Sequence, residues 1–276
     1  MGRNLKDSRV LVTGASRGIG RKVALLLAAR GARLALTART LDELEETGRL
    51  VREAGGTAAC IIADLTKPAD RARLVERAVA ELGGLDILIN NAGVASFGEF
   101  ATSNENVLRT IMEINFFAPV EMIRLCLPHL AKSSNRPAVL NVASICARRG
   151  IPSYSEHCAS KHAVAGMTEC FRGEFARFGI DALLLIPGTV KTDDMGKHLL
   201  RNEGKIFIDP KKAIDQSEVA EGIVRAIEKN RAESVVGWMA WWIWRGQRAM
   251  PWVLDIILAR KVRSWVKSHG ETGKAL

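Results

Sequence analysis

Hydrophobic residues recur along this chain in two alternating patterns. Short, almost continuously apolar runs predict buried β-strands at Arg9–Thr13, Arg33–Ala38, Thr57–Ala63, Ile87–Asn90, Ala138–Ala143, Asp181–Ile186 and Glu233–Val236. Between them, apolar positions repeat with helical spacing over Ile19–Arg30, Leu41–Ala54, Pro68–Leu82, Glu105–His129, Ser153–Phe178 and Ser217–Lys229. This alternation predicts an α/β fold with a single Rossmann-like, doubly wound parallel sheet of about seven strands and helices on both faces.

The pattern changes after residue 237. We expect a dinucleotide-binding and catalytic domain over residues 1–237, followed by a C-terminal Trp-rich, basic amphipathic extension over residues 238–276. Met250–Lys267 predicts a helix whose apolar stripe is formed by Leu254, Leu258, Val262 and Trp265 or Val266. All six Trp lie in the extension, which also carries half of the chain's net charge of +10.

Trp beside Arg and Lys, in a segment too short to span a bilayer, is typical of a membrane interface. We therefore expect peripheral membrane contact through residues 238–267. The alternative is that this segment packs as a lid or as a dimer contact, because Trp is also enriched at protein interfaces.

Composition narrows the classes of function. The chain has 276 residues, 47% of them hydrophobic, which is enough for a large core. Its five Cys form no CxxC pair, so we expect a reducing compartment, and no His or Cys spacing indicates a metal site. Without a signal-peptide pattern, the predicted location is the cytoplasm, with peripheral attachment to a membrane. Because half of the excess charge is confined to the tail, we expect no nucleic-acid partner.

A glycine-rich turn follows the first predicted strand and opens a helix. Glycines at this spacing permit a tight turn and a close approach of a pyrophosphate to the backbone, so the turn predicts a dinucleotide site. Its candidate binding residues are Gly14, Ser16, Arg17, Gly18, Ile19 and Gly20. After the second strand, Arg39 stands where NAD sites usually carry an acid. Arg39 and Arg17 predict a 2′-phosphate clamp and hence NADP(H); the alternative is that both are solvated surface arginines.

Further motifs follow in order along the chain: Asp64, Asn90-Asn91-Ala92-Gly93, Asn115, Ser144, Ser160-Lys161 and Pro187–Thr192. Together with the glycine loop, they resemble the classical short-chain dehydrogenases/reductases over about Lys6 to Gly237. The resemblance implies an NADP(H)-dependent oxidoreductase that interconverts a ketone or aldehyde and an alcohol, assembled as a homodimer or homotetramer. It also implies further cofactor-binding residues: Asp64, Leu65, Asn91, Ala92, Gly93, Lys161, Pro187, Gly188, Val190 and Thr192.

The implied catalytic residues are Ser144, His157, Lys161 and Asn115. In the family, a Tyr four residues before the Lys donates the proton in ketone reduction, and the Lys lowers the pKa of this Tyr. The Ser bonds the carbonyl oxygen, and the Asn supports a water relay. Here the residue four before Lys161 is His157, while Ser144 keeps the family's interval. The register is therefore intact, and one residue is changed.

Several hypotheses for position 157 stay open. His157 could be the acid/base, and Lys161 would then favour its neutral form, which suits a base in alcohol oxidation. Tyr154, the single Tyr of the chain, could substitute or could merely line the substrate pocket. Alternatively, the protein could be a catalytically impaired NADP(H)- and lipid-binding protein, or could use His157 as a base in non-redox chemistry.

Membrane contact would bias the substrate toward lipophilic molecules. We therefore expect a steroid-, retinoid- or acyl-like substrate, held by Tyr154, Phe97 and Cys146. The wider pocket is expected to include Ala95, Phe100 and Ile151, and the loop Met195–Phe207 could close over it.

Overall fold

The computed structural model describes residues 2–191, 199–203 and 213–269. Within these residues, seven parallel strands form one sheet in the order β3-β2-β1-β4-β5-β6-β7. The strands are β1 (Arg9–Thr13), β2 (Arg33–Ala38), β3 (Thr57–Ile62), β4 (Ile87–Asn90), β5 (Ala138–Val142), β6 (Asp181–Pro187) and β7 (Glu233–Val236). The predicted doubly wound sheet is confirmed.

The central strands are apolar throughout because both of their faces are covered. In β1, Val10 and Val12 belong to one hydrophobic core, whereas Leu11 points into the other. The strand order reverses between β1 and β4, so successive connections leave this point in opposite directions. Such a switch point opens a crevice at the carboxyl ends of the strands.

Helices cover both faces of this sheet. They are α1 (Gly18–Ala28), α2 (Leu41–Glu53), α3 (Pro68–Leu82), α4 (Glu105–Met112), α5 (Ala118–Leu130), α6 (Ser155–Glu174), α7 (Gln216–Glu228), α8 (Trp238–Ala249) and α9 (Pro251–His269). The predicted helix Glu105–His129 is present as α4 and α5, joined by a π-helical turn over Glu113–Phe117. Helix α6 starts two residues later than predicted, so Tyr154 precedes it.

The tail folds back onto the domain. Gly237 has a φ of +96°, and a Cβ there would lie 3.1 Å from Cγ2 of Ile214, so only glycine suits this reversal after β7. Helix α9 matches the predicted tail helix, whereas α8 was not predicted. Among the described residues, none of the helices is both long and apolar enough to cross a membrane.

Polar contacts fix the tail helices against the domain. Arg149 pairs with Asp255 of α9 at 2.5 Å and donates to Oε1 of Gln247 in α8 at 3.0 Å. The indole N–H of Trp244 donates to Glu233 of β7 at 2.6 Å. Since Arg149 holds both helices, they form a fixed wall beside the carboxyl end of β5.

Candidate active site

A groove of about 600 Å³ lies at the carboxyl ends of β1 to β4. Twelve of the predicted cofactor residues line it: Gly14, Ser16, Arg17, Gly18, Ile19, Gly20, Arg39, Asp64, Leu65, Asn91, Ala92 and Gly93. Sequence reasoning missed other lining residues, among them Thr37, Glu43, Thr66, Val94 and Ile114. These lie beside the recognised motifs, but no motif marks them.

The glycine loop forms a shallow cradle at the floor of this groove. Gly14 has a φ of +65°, and a Cβ on Gly20 would lie 2.0 Å from the carbonyl oxygen of Gly14. The Asn91 amide holds the loop by donating to the carbonyl oxygens of Thr13 and Gly14 at 3.0 and 3.1 Å. Helix α1 starts at Gly18, so its free N–H groups border the groove. The absence of side chains leaves room for a pyrophosphate, and a dinucleotide therefore fits.

Charges of both signs lie at the end of the groove next to β2. Arg39 is exposed there, and Arg17 lies 3.9 Å from a carboxylate oxygen of Glu43. Glu43 also accepts a hydrogen bond from Ser16 at 3.2 Å. Glu43, which no sequence motif marks, offsets part of the positive charge that Arg17 brings to the groove.

Asp64 lies at the next strand end. Its carboxylate accepts from the backbone N–H and hydroxyl of Thr66 at 3.1 and 2.8 Å. Burial opposes ionisation, but these hydrogen bonds hold the pKa of Asp64 below its usual value. Asp64 therefore lines the groove as a carboxylate, a hydrogen-bond acceptor.

Lys161 extends from α6 to the back of Gly93, which lines the groove, and is not itself a lining residue. It is buried, and its Nζ donates to the carbonyl oxygen of Val142 at 3.0 Å. A Cβ on Gly93 would lie 3.5 Å from this Nζ and 3.2 Å from Oδ1 of Asn115. The glycine thus separates the groove from both predicted catalytic side chains. Burial lowers the pKa of Lys161 to about 8.

Asn115 projects from the π-helical turn. Its Nδ2 donates to the carbonyl oxygen of Val94 and its Oδ1 accepts from the Val94 N–H, both at 2.8 Å. The same Nδ2 donates to the hydroxyl of Ser160 at 3.0 Å. Asn115 therefore ties the chain after β4 to α6. Turns of this kind are frequent at functional sites.

His157 lies one turn before Lys161 on α6. Its Nδ1 is 3.2 Å from the carbonyl oxygen of Val94, which can only accept, so Nδ1 carries the proton and Nε2 has a lone pair. Burial, and then the charge of Lys161, lower the pKa of His157 to about 3. At neutral pH the imidazole is uncharged, and its single N–H is already bound. It can accept a proton but has none to donate.

Ser144 follows β5, where its Oγ accepts from the N–H of Cys146 at 3.2 Å. The same hydroxyl is a side-chain hydrogen-bond partner of the buried Cys146 thiol, whose sulfur is only a weak acceptor. The segment after β5 and the first turns of α6 thus carry a hydroxyl, a neutral imidazole and a buried ammonium.

The predicted substrate residues do not share one cavity. Tyr154 packs on Phe97 with ring centroids 4.8 Å apart, and its ring lies 6.5 Å from that of His157. Burial raises the pKa of Tyr154 to about 12, so it stays a neutral phenol. Phe97 and Cys146 are buried in the core, whereas Phe100 is exposed.

Part of the predicted covering loop is described, namely residues 199–203. The Phe97 N–H donates to the carbonyl oxygen of Arg201 at 2.9 Å, and the Glu203 N–H donates to that of Phe97 at 3.0 Å. Leu200 donates to Ala95 at 2.9 Å. This segment is therefore fixed along the chain that follows β4.

A second, apolar cavity of about 290 Å³ lies between the segment after β5 and the tail helices. Its lining includes Ile145, Ile151, Pro152, Gly188, Thr189, Ile243, Leu254, Leu258 and Val262. The predicted apolar stripe of α9 faces this cavity. Of the predicted substrate pocket, Ile151 is part of the lining, and Ala95, Phe97, Phe100 and Cys146 are not.

Of the predicted cofactor residues that do not line the groove, Lys161 lies on α6, and the other four lie at or after the end of β6. Pro187 ends the strand, Gly188 lines the apolar cavity, and Val190 forms an isolated parallel bridge with Ile214. Thr192 lies outside the described residues. This segment therefore borders the apolar cavity rather than the groove.

Relatives and solved structures share this architecture over most of the chain. An 11-beta-hydroxysteroid dehydrogenase-like protein of Arabidopsis thaliana is 32% identical over 272 residues, covering 96% of this chain and 85% of the relative. A short chain dehydrogenase of Burkholderia cenocepacia in complex with NADP superposes with a TM-score of 0.78 at 28% identity, covering 92% and 98% of the two chains. One from Burkholderia phymatum in complex with NAD shares the fold, with a TM-score of 0.75 at 24% identity over 84% and 89%.

The family model described as short chain dehydrogenase matches residues 8–203. That range contains the glycine loop, the chain after β4, Ser144, His157 and Lys161. The chain therefore belongs to the short chain dehydrogenase family of NAD(P)-binding oxidoreductases.

Proposed function

We propose that this protein is an NADP(H)-dependent oxidoreductase that interconverts an alcohol and a ketone or aldehyde on a lipophilic substrate. One observation carries the proposal. Lys161 and Asn115 reach the wall of the dinucleotide groove at Gly93, and His157 is hydrogen-bonded to Val94, the next residue. Groups that can hold and move a proton thus lie beside the groove. We assign the catalytic roles to Ser144, His157 and Lys161, with Asn115 in support.

The protonation of His157 favours alcohol oxidation. The hydroxyl of Ser144 donates to the substrate oxygen, and the free Nε2 of His157 takes the hydroxyl proton as general base. A bound nicotinamide dinucleotide supplies the hydride acceptor. Lys161 keeps a positive charge next to the imidazole, which speeds return of the proton to water. At neutral pH the resting imidazole is in the form from which alcohol oxidation starts, whereas ketone reduction would have to start from the protonated form.

Two arginines support NADP(H) as the cofactor. Arg17 and Arg39 line the same end of the groove, and a 2′-phosphate there could accept from both guanidinium groups. The relative from Burkholderia cenocepacia is a complex with NADP. Glu43 acts against this preference through its charge. The remaining predicted contacts, from Asp64 and Leu65 to Pro187, Gly188, Val190 and Thr192, are part of the same proposal.

The apolar cavity supports a lipophilic substrate, of a steroid-, retinoid- or acyl-like kind. Its walls are mainly aliphatic, and it begins at Ile145, directly after Ser144. Such a cavity favours an apolar body and leaves few polar groups to satisfy. The steroid dehydrogenase-like name of the Arabidopsis relative is in keeping with this class.

We also propose that the protein is cytoplasmic and contacts membranes peripherally through residues 238–267. Exposed Trp residues beside Arg245 and Arg248 in α8 support this contact. A homodimer or homotetramer is proposed through two surfaces, the helical segment from α4 to α5 and helix α6. Phe117, in the turn between α4 and α5, is exposed.

Turnover of lipophilic alcohols with NADP⁺ tests the proposal, in the native chain and in His157→Ala and His157→Tyr. We expect the native chain to oxidise alcohols and His157→Ala to lose about 10²-fold or more in kcat. A native chain that binds NADPH without turnover, with activity only in His157→Tyr, would instead establish an NADP(H)- and lipid-binding protein. The bound N–H of His157 is the observation that favours this second function.

A further inference from the structure

The apolar cavity reaches the outside between the tail helices. Two of its lining residues, Trp238 of α8 and Ile257 of α9, are exposed over 64% and 43% of their surface. Side chains that line a cavity and also face outward mark its mouth. Lys261 lies one helical turn after Ile257, is exposed, and also lines the cavity. The mouth is therefore framed by two apolar side chains and one ammonium.

Part of the cavity lining comes from segments that adjoin the catalytic residues along the chain. Ile145 follows Ser144 directly, and Gly188 and Thr189 follow β6. Ser144, His157 and Lys161 are not themselves among the lining residues. A molecule in the cavity would therefore lie beside the carboxyl end of β5, the strand that Ser144 follows.

The surface beside the mouth is also apolar. Trp242 lies one turn after Trp238 on α8 and is exposed over 63% of its surface. On α9, Trp252 and Ile256 are also exposed, and Ile256 lies one turn after Trp252. Helix α9 therefore presents apolar side chains both to the cavity and outward. An ordinary surface helix has a single apolar face, toward the core.

Positive charge accompanies these apolar residues. The guanidinium groups of Arg245 and Arg248 lie over the rings of Trp241 and Trp244, 5.3 and 4.3 Å from their centroids. Residues 238–264 include five Lys or Arg and a single acid, Asp255. That acid is paired with Arg149 of the domain, so it does not balance the charge of the tail.

This combination fits an anionic lipid surface better than a second copy of the chain. Two copies that met through a two-fold axis would bring the same positive patches together, and like charges repel. Anionic headgroups attract basic residues near a membrane, and Trp side chains favour the interface. The charge and the exposed apolar area then act in the same direction.

We propose that the mouth of this cavity lies against an anionic membrane and admits the substrate directly from the bilayer. The catalytic part of this inference rests on the proposed function, whereas membrane binding and uptake into the cavity do not. An amphiphile would place its apolar body against Ile243, Leu254 and Leu258. On entry, the polar hydroxyl end of the amphiphile would lie near Lys261. It would then move inward until this hydroxyl reached Ser144.

Tryptophan fluorescence tests membrane contact without interference from the domain, because all six Trp lie in the tail. The full chain is mixed with vesicles of phosphatidylcholine and phosphatidylglycerol that contain a doxyl-labelled phospholipid as quencher. We expect quenching, and little on vesicles of phosphatidylcholine alone. Arg245→Gln should weaken binding to the anionic vesicles about fivefold. Arg77→Gln, which removes an exposed arginine of α3 outside the tail, is the matched control and should bind unchanged.

Uptake from the bilayer is measured with the fluorescent fatty acid cis-parinaric acid dissolved in the same vesicles. After incubation, the protein is separated from the vesicles by flotation at high ionic strength, and the probe that stays bound to it is measured. We expect the native chain to retain the probe. Leu258→Phe, which fills the cavity, should retain little probe yet leave doxyl quenching intact, which shows that the tail still folds and binds.

Two results would overturn the proposed entry of substrate from the membrane: no doxyl quenching on anionic vesicles, or probe uptake unchanged in Leu258→Phe. Neither assay uses turnover. Uptake from the membrane without alcohol oxidation would therefore reject the proposed function alone. Oxidation of a water-soluble alcohol without quenching would reject membrane entry alone.

Discussion

The imidazole of His157 donates its Nδ1 proton to the carbonyl oxygen of Val94 across 3.2 Å. This bond selects the tautomer whose Nε2 accepts. A phenol at the same position would offer a hydroxyl to the substrate instead. At neutral pH the imidazole at position 157 is therefore set to accept a proton, whereas a phenol would be set to donate one.

The first prediction concerns the pH dependence of alcohol oxidation. Because the pKa of His157 is lowered from 6.5 to about 3, the imidazole remains a neutral base throughout the mildly acidic range. The pKa of Lys161 is lowered to about 8, so its charge is lost as pH rises through that value. We expect kcat/KM to be flat from about pH 5.5 to 7. It should fall near pH 8, where the favourable positive charge of Lys161 is lost. An acid limb near pH 6.5 that vanished in His157→Gln would contradict this.

The second prediction concerns stability in acid. Between about pH 6.5 and 3, unfolded His157 binds a proton that the native state does not, so the free energy of unfolding falls as pH falls. From pH 7 to 5.5, this single group should cost about 1 kcal/mol. Urea unfolding of the native chain and of His157→Gln at both pH values measures the difference. Equal losses in the two proteins would show that His157 titrates normally.

The third prediction concerns the choice of cofactor. Arg39→Gln should weaken NADPH binding by about tenfold or more, since a charge-assisted hydrogen bond is worth about 1.5–3 kcal/mol. NADH, which lacks the 2′-phosphate, should bind with unchanged affinity. Fluorescence titration of both nucleotides gives the two dissociation constants. Arg33→Gln, at the opposite end of β2, is the matched control. Equal weakening of NADH and NADPH would place Arg39 away from the 2′-phosphate.

The fourth prediction compares two helical glycines. A Cβ on Gly20 would lie 2.0 Å from the carbonyl oxygen of Gly14, whereas a Cβ on Gly166 of α6 meets nothing within 4 Å. Gly20→Ala should destabilise the fold by about 1–3 kcal/mol. Gly166→Ala should stabilise it by about 0.5–1 kcal/mol, because alanine favours a helix. Thermal unfolding of both variants provides the test, and a tolerated Gly20→Ala would show that the loop can relax.

Much of the fold could be predicted because buried positions appear in the sequence as apolar runs in strands and as apolar residues at helical spacing in helices. The strands β1, β2, β4 and β7 coincide with the predicted bounds, since continuous apolar runs between polar turns define them. The π-helical turn at Asn115 could not be predicted, because one inserted residue does not break the apolar pattern of a long helix. Helix α8 was missed because its Trp residues face several directions and leave no single stripe.

In the candidate site, too, the features that depend on contacts between distant segments could not be predicted from the sequence. Twelve residues of the groove were accessible to sequence reasoning because they lie in recognisable motifs next to the ends of strands. The apolar cavity was not, because Ile145 and Leu258 meet only through the fold of the tail. Glu43 was missed for a related reason: it lies on α2 and enters the groove only because that helix starts beside β2.

The two cavities are built by separate stretches of the chain. The groove draws its lining from residues 14–114, and the apolar cavity from residues 145–262, with more than half of its lining after Gly237. Changes in the tail can therefore alter which molecules are accepted without disturbing the nucleotide groove. Exchange of residues 238–276 between members of the family would then transfer substrate specificity from one protein to another, and Gly237 is the position at which to join the two sequences.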